Sequence, residues 1–568
     1  MSPSSNSVIL DFMTDQQWFK EFIASSECTF MQDHPIVYFC AEYALHDTLS
    51  IYAGGLGILA GDMLREAADH EIPFIAVGLF YHQGYSLKKS ERLNPENSVL
   101  IPVVDEQNNR IIISLPIQDT LVSAQAWSMQ QGSVRIYLLD TNISQNTEEN
   151  RHITDQLYPS DKEIRFKQEM ILGLGGLRLL EALHILPIGY HLNEAHSALL
   201  ALEIVRYEMK KHKKPFVEML DTAKQHIFFT NHTLISAGND TYTVDLASAF
   251  LSGFAKELQV PVSEIIKLGL VTGSNIFSMA QLVLRMAGKI NAVSRLHAKK
   301  AQEIWKDYPM IPITNGIHIK TWDRIQTKEN IWEKHQSNKR DLLAYIHKET
   351  GEVWDENTLL LGWARRIVAY KRPLALFDNL QQFKELATAS EKQINIVISG
   401  IAHANDTEGI AILQKIQKFV TEDLKGIVVY LPDYNITNAK LLVAGCDIWL
   451  NTPIVGFEAC GTSGMKAALN GVLPCSTQDG WVAEADLEKV GWILQNDTVS
   501  EDILSVMEKH IVTLYYNRDS QNIPQEWVAM MQNAREMILN KFSSTRMLRK
   551  YLEEFYLPNI RAHLAKKS

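Results

Sequence analysis

The sequence is poor in cysteine, with only Cys28, Cys40, Cys446, Cys460 and Cys475 in 568 residues. Their number is odd and none stands in CxxC spacing, so neither a disulfide framework nor a zinc site is indicated, and no metal is expected. No apolar run is long enough for a membrane span. The opening "MSPSSNSVILDFM" lacks a positive stretch followed by an apolar core, so no secretory leader is expected. Positive charge is in deficit: 55 Lys and Arg stand against 66 Asp and Glu, a net charge of −11. That balance argues against nucleic acid or an anionic membrane as the main partner. Internal repeats and low-complexity tracts are also missing. What remains is 46% hydrophobic and 21% charged, the composition of a soluble globular protein expected in the cytoplasm. The length allows roughly two to four domains.

Short apolar runs recur along the chain, each followed by a helix-like stretch. They are "IVYFCA" (36–41), "FIAVGLF" (74–80), "IGYHLN" (188–193), "IFFTNHT" (227–233) and "MIPITNG" (310–316), then "TLLLGW" (358–363), "INIVISG" (394–400), "GIVVYLP" (426–432) and "CDIWLN" (446–451). Continuous apolar strands separated by amphipathic helices predict an α/β fold with parallel sheets covered on both faces. One such helix follows "GGLG", with Leu59, Met63 and Ala67 on one stripe and Ala60, Leu64 and Ala68 beside it. The runs fall into two blocks, so two doubly wound domains are expected, residues 1–320 and 321–544. The polar segment of about 84–160 reads as inserted hairpins and loops, and the charged stretch 322–341 as a connecting region. Ligands of open parallel sheets sit at the carboxyl ends of strands, which makes the cleft between the two sheets the expected site.

Four groups of residues suggest chemistry. "YAGGLGILAGD" (52–62) is a glycine turn opening a helix; it is either a tight connection or a cradle of free N–H groups for an anion. "GWARRIVAYKRP" (362–373) gathers Arg365, Arg366, Lys371 and Arg372 where a helix would begin. Cations there oppose the helix dipole unless an anion is bound, so phosphate is indicated. "EACGTSGMKAALNG" (458–471) offers Thr462 in a glycine-rich turn and, one helical turn later, Lys466 among Ala467, Ala468 and Leu469. Small apolar surroundings disfavour a charged amine, so Lys466 is either a helix-start lysine or an amine kept neutral for imine formation. "HLNEAHS", "FTNHT" and "ITNGIHIKTW" end predicted strands and place Asn193, Glu194, His196, His232 and Asn315 where sugar hydroxyls could be met.

In this order, these motifs resemble the α-glucan phosphorylases, also called glycogen or maltodextrin phosphorylases, from about residue 36 to about residue 560. "GGLGILAGD" and "GTSGMKAALNG" look most like the shorter bacterial and archaeal branch. The resemblance implies two Rossmann-like domains of the GT-B type with the active site in the interdomain cleft, and a C-terminal helix, 545–568, crossing back toward the first domain. It implies reversible phosphorolysis of the non-reducing-end glucose of an α-1,4-glucan, giving glucose 1-phosphate with retention. Pyridoxal 5'-phosphate would be carried by Lys466, with Thr462, Ser463, Arg365, Lys371 and Tyr434 about its phosphate and Trp322 beside it. Arg366 and Gly55 would hold the substrate phosphate. His232, Asn315, Glu458 and Gly461 would meet the terminal glucose, and Glu42, Glu194 and His196 are further candidate substrate-binding residues. Lys466, Arg366, Lys371 and His232 are the implied catalytic set, and a homodimer is the implied assembly.

The chain also departs from the family. Cys460 stands where many members have serine, Asn435 replaces an arginine of the longer enzymes, Ile401 stands where a lysine is common, and Ala44 where longer members carry a tyrosine. The chain is short for the family and starts almost at its first strand, so activation by AMP is not expected. Two other readings stay open: a nucleotide-sugar glucosyltransferase on the same two-domain plan, and a glucan-binding protein that has lost activity.

Overall fold

Each of the nine apolar runs contributes a β-strand in the computed structural model, which describes residues 15–46, 48–84, 92–234, 239–327, 329–389, 392–403, 406–432 and 434–567. The chain divides into two compact units. The first holds the described residues up to Val293, with Ala298–Ile313 and the chain from Met547 onward; the second holds Ser294–His297 and Thr314–Arg546.

The first unit's strands are β1 (Ile36–Phe39), β2 (Phe74–Leu79), β3 (Ile101–Pro102), β4 (Ile112–Ile117), β5 (Thr120–Gln131) and β6 (Val134–Asp140), then β7 (Gly189–Asn193), β8 (Ile227–Asn231), β9 (Thr241–Thr243), β10 (Ile276–Ser278), β11 (Lys289–Ala292) and β12 (Ile311–Pro312). Ten form one sheet in the order β12-β11-β8-β7-β1-β2-β6-β5-β3, with β4 on β5, while β9 and β10 pair separately. From β12 to β6 the sheet is parallel; β5, β3 and β4 extend it antiparallel. The polar segment 84–160 is therefore not wholly an insertion. Its β6 pairs in register with β2, Ile75 facing Arg135 through Leu79 facing Leu139. Four-residue β1 is buried along its whole length, as expected of a central parallel strand.

The final helical run, Ser544–Lys567, contains a π-turn at Tyr551–Tyr556. In the first unit Asn291 Nδ2 donates to the Tyr551 hydroxyl at 3.0 Å. Lys289 Nζ donates to the carbonyls of Glu554 and Phe555 at 2.7 and 3.1 Å, meeting acceptors in the irregular turn.

The second unit's sheet contains β13 (Leu359–Ala364), β14 (Ile394–Ser399), β15 (Val428–Leu431), β16 (Ile448–Asn451), β17 (Leu473–Thr477) and β18 (Trp492–Leu494). All are parallel, in the order β15-β14-β13-β16-β17-β18, which is the doubly wound order 3-2-1-4-5-6. The stretch taken for a connecting region is largely the start of a twenty-residue helix, Ile331–Thr350. Its charges misled because Lys339 points inward, where its Nζ donates to Asp447 Oδ2 and the Thr358 carbonyl at 2.6 Å and to the Tyr515 hydroxyl at 3.0 Å. No described helix is long and apolar enough to cross a membrane.

Candidate active site

A doubly wound sheet opens a crevice where its strand order reverses. In the second unit that point lies between β13 and β16, and the loops leaving these strands carry charged residues. Arg365 follows β13 directly and is buried. It donates to Asn451 Oδ1 at the end of β16, and its Nη1 lies 3.2 Å from Glu458 Oε2. Lys371 Nζ lies 3.1 Å from the same oxygen. No α-helix starts at the basic run as expected; a 3-10 turn, Ala369–Lys371, takes its place, followed by Arg372 at φ 47°. Arg372 fastens loops, donating to the carbonyls of Thr452, Pro453 and Asn496 at 2.7, 2.9 and 2.5 Å. Its charge thus belongs to backbone architecture rather than to an anion site.

Arg365, Arg366 and Lys371 all bear on Glu458. Burial pushes the Glu458 carboxyl up, but Lys371 and Arg365 hold it below its ordinary value. Burial pushes Lys371 down to about 8, with Arg365 and Arg366 adding to the fall and Glu458 opposing it. Buried Arg365, half-buried Lys371 and exposed Arg366 are answered here by one carboxylate, an excess of positive charge that an anion would relieve. Burial raises the Tyr434 hydroxyl to about 12 against the pull of Arg365. Among the described residues, the buried Arg365 Nε has no hydrogen-bond partner.

Lys466 lies on the helix Thr462–Leu469, which follows Gly461 at φ 82° and has no side-chain N-cap bond. Its Nζ sits 4.1 Å from the centroid of the Trp322 ring and 3.4 Å from Thr462 Oγ1. Trp322 is buried, and Asn470 Nδ2 ties its carbonyl to that of Lys466 with donor bonds of 2.8 and 2.9 Å. Trp449 Nε1 donates to Ser463 Oγ at 3.4 Å. A side chain at Gly464 would crowd Trp481 Nε1 at 3.0 Å and Asn451 Nδ2 at 3.1 Å. Asp479 Oδ2 accepts from the main chain of Phe457 and Glu458 at 3.2 and 2.8 Å, holding the loop that carries Glu458. Asn315 is buried, its Oδ1 without a hydrogen-bond partner among the described residues, and Arg546 secures its carbonyl at 3.0 Å.

The first unit reverses strand order between β1 and β7. Past β1, Glu42 Oε2 accepts from Ala53 and Gly54 N–H at 2.6 and 3.1 Å, while Oε1 accepts from the Tyr158 hydroxyl at 2.7 Å. The helix Gly55–Asp69 begins there with no side-chain N-cap bond. A Cβ on Gly54 or Gly55 would meet nothing within 4 Å, so the protein's own packing does not demand glycine at either position. Past β7, Glu194 has φ 76° and ψ 167°, a conformation that costs about 1–3 kcal/mol outside glycine. Its carboxylate accepts from Ala195 N at 3.1 Å and His232 N at 3.0 Å. Burial raises it to about 7 against those bonds and one from the Thr233 side chain. His232 Nε2 donates to Asn193 Oδ1 at 2.6 Å. Burial holds His196 at about 4, so its ring is neutral although Asp240 lies 3.6 Å away.

The sequence-based residues therefore gather in two groups. Lys466, Thr462, Ser463, Trp322, Arg365, Arg366, Lys371, Tyr434, Asn315, Glu458 and Gly461 belong to the second unit, and Gly55, Glu42, Glu194, His196 and His232 to the first. Residues overlooked in the sequence are Tyr158, Asn451 and Asp479. Only Asp479 had a signal, in the "DGW" that follows the lysine motif. Asn435 caps the helix Ile436–Gly445 in a reciprocal box with Asn438, which is a structural reason for asparagine there.

A wholly parallel sheet in the second unit and a largely parallel one in the first, each with buried polar side chains at its switch point, define a doubly wound α/β protein. A family model described as carbohydrate phosphorylase matches residues 320–492. The chain is 32% identical to a maltodextrin phosphorylase of Thermococcus litoralis, over 92% of this chain and 70% of that one. It is 33% identical to a glycogen phosphorylase of Aquifex aeolicus, over 92% and 86%, and 29% identical to one of Mycobacterium tuberculosis, over 96% and 74%. The chain belongs to the carbohydrate phosphorylase family.

Proposed function

We propose that the protein is an α-1,4-glucan phosphorylase, moving the non-reducing-end glucose of glycogen or maltodextrin reversibly to inorganic phosphate. The product is α-glucose 1-phosphate, with retention. The observation that carries this reading is the trio Arg365, Arg366 and Lys371 around one carboxylate, Glu458. The names of the relatives support it. The reading takes the two sheets as a GT-B pair with the substrates in the cleft between them, in the cytoplasm.

The second unit's residues fit pyridoxal 5'-phosphate. The fit rests on the buried Lys466 amine against Trp322, the uncapped start of Thr462–Leu469 and the unpartnered Arg365 Nε. Lys466 would carry the group; Thr462, Ser463, Arg365, Lys371 and Tyr434 would hold its phosphate, and Trp322 would pack beside it. When bound, it supplies a second phosphate able to exchange a proton with the substrate's. Arg366 and the Gly55 N–H would hold the substrate phosphate. Two phosphates that close repel strongly, and the cluster of cations offsets this repulsion.

The substrate phosphate then gives a proton to the glycosidic oxygen, the bond from that oxygen to C1 breaks, and a phosphate oxygen bonds to C1 on the same face. The His232 carbonyl would stabilise positive charge at C1. The sugar hydroxyls would be met by His232, His196, Asn315, Glu458, Gly461, Glu42 and Glu194. A retaining glycosidase uses one free carboxyl as acid and another as nucleophile. Here Glu42 and Glu194 already accept main-chain N–H groups, which favours phosphate in both roles.

Incubation with maltoheptaose and phosphate tests the reading, and release of glucose 1-phosphate is the expected result. Protein that releases none but consumes a nucleotide sugar overturns it in favour of a glucosyltransferase, which has no use for the Lys466 amine. Protein that binds maltoheptaose and transforms nothing overturns it in favour of a binding protein.

A further inference from the structure

We propose that Tyr158 is a positioning residue for phosphate binding, acting through Glu42 on the glycine turn; the inference rests on the phosphorylase reading above. The first N–H groups of the helix Gly55–Asp69 have no acceptor within the helix, and they give its start a partial positive charge. A carboxylate beside such a start is itself a competitor for that charge. Glu42 is that carboxylate, bonded to the Ala53 and Gly54 N–H groups just before the helix, and its position decides whether the helix start is open to phosphate.

The structure fixes Glu42 from two sides. Oε2 is turned to Ala53 and Gly54, which precede the helix, and Oε1 is held by the Tyr158 hydroxyl at 2.7 Å. Gly57 leaves the room this needs, since a Cβ there would lie 2.9 Å from Glu42 Oε2. Tyr158 in turn is held by the Arg165 guanidinium, 4.7 Å from the centroid of its ring, and Arg165 is paired with Asp240 at 2.8 Å. Asp240 also stands beside His196. Tyr158 has φ 56°, a strained conformation for a bulky residue that persists where surrounding contacts over-determine it. Burial keeps its hydroxyl protonated and so able to donate.

Without the Tyr158 hydroxyl, Glu42 Oε1 loses its donor and the carboxylate is free to swing toward the helix start. Phosphate then competes with that negative charge for the helix start. Tyr158→Phe should raise KM for phosphate about tenfold, the size expected for losing one hydrogen bond to a charged group. Glu42→Gln added to Tyr158→Phe should recover part of the phosphate KM, because the neutral amide no longer competes. A merely structural role predicts the opposite, a double variant worse than either single one.

Phosphate should also raise the Tm of the wild type more than that of Tyr158→Phe, a readout independent of turnover. Wild-type protein that forms no glucose 1-phosphate overturns the phosphorylase reading, and the Tm comparison still decides on Tyr158. A Tyr158→Phe variant with wild-type KM for phosphate, or with the full phosphate-induced rise in Tm, overturns this proposal.

Discussion

Lys371 Nζ lies 3.1 Å from Oε2 of Glu458 in a pocket where positive charge is in excess. The pair is unequal: burial holds Lys371 at about 8, while Glu458 stays ionised. Lys371 is therefore charged at neutral pH and loses its proton as pH rises through about 8. If its charge holds phosphate, kcat/KM measured against phosphate falls on the alkaline side, and Lys371→Met removes that limb. The variant should also lose about 10- to 100-fold in kcat/KM near neutral pH, the worth of one charge-assisted bond. An alkaline limb that persists in Lys371→Met excludes this lysine as its source.

The Lys371–Glu458 relationship could not be read from the sequence, because the partners stand 87 residues apart. The same holds for Tyr158 and Glu42, separated by 116 residues. What could be read was the local pattern: nine continuous apolar runs, all of them strands, and the glycine turns before the helices Gly55–Asp69 and Thr462–Leu469. Strand β6 was hidden by polar flanks and its exposed Arg135, and β17 by the polar Ser476 and Thr477, which are buried. The basic run at 365–372 was misread as a helix start because charge density says nothing of where each side chain turns. Arg372 is spent on three carbonyls. Lys339 misled in the opposite sense, a charge that lies in the core.

Lys466 and Trp322 give a test of the cofactor that needs no turnover. The amine lies 4.1 Å from the Trp322 ring centroid, and Trp449 and Trp481 border the same helix start. A pyridoxyl group there absorbs where tryptophan emits, so loading should quench the protein's fluorescence. Borohydride-treated protein should carry one phosphopyridoxyl group on Lys466 by mass spectrometry, and Lys466→Ala should show neither adduct nor quenching. An adduct on another lysine refutes the assignment of Lys466.

The Lys339–Asp447 pair, closed at 2.6 Å with both side chains buried, joins the helix Ile331–Thr350 to the segment before β16. Removing one partner leaves the other charge buried and unpaired, which costs about 3–5 kcal/mol. His335, 2.9 Å from Asp447 Oδ1, offers only partial compensation. Lys339→Met should therefore lower the unfolding free energy of the second unit, measured by denaturant titration, by that amount. A loss under about 1 kcal/mol, the range of an exposed pair, would show that water reaches Asp447.

Glu194 links stability and activity to pH with opposite signs. Burial raises its carboxyl to about 7, from an unfolded value of 4.5. Below about pH 4.5 it is protonated in folded and unfolded chains alike, and its contribution to stability is complete. As pH rises through about 7 the folded chain must ionise a buried group, and that contribution is lost, to a limit of about 3 kcal/mol. The ionised form is nevertheless the stronger acceptor for the His232 N–H at 3.0 Å. Activity that depends on the His232 main chain therefore falls as pH drops below about 7, while stability improves. Glu194→Gln, neutral throughout, should flatten both trends. Its Tm relative to wild type rises between about pH 5 and about pH 8, and its acid limb in kcat disappears. If Glu194→Gln keeps the wild-type acid limb, another group titrates there and Glu194 does not set the His232 main chain.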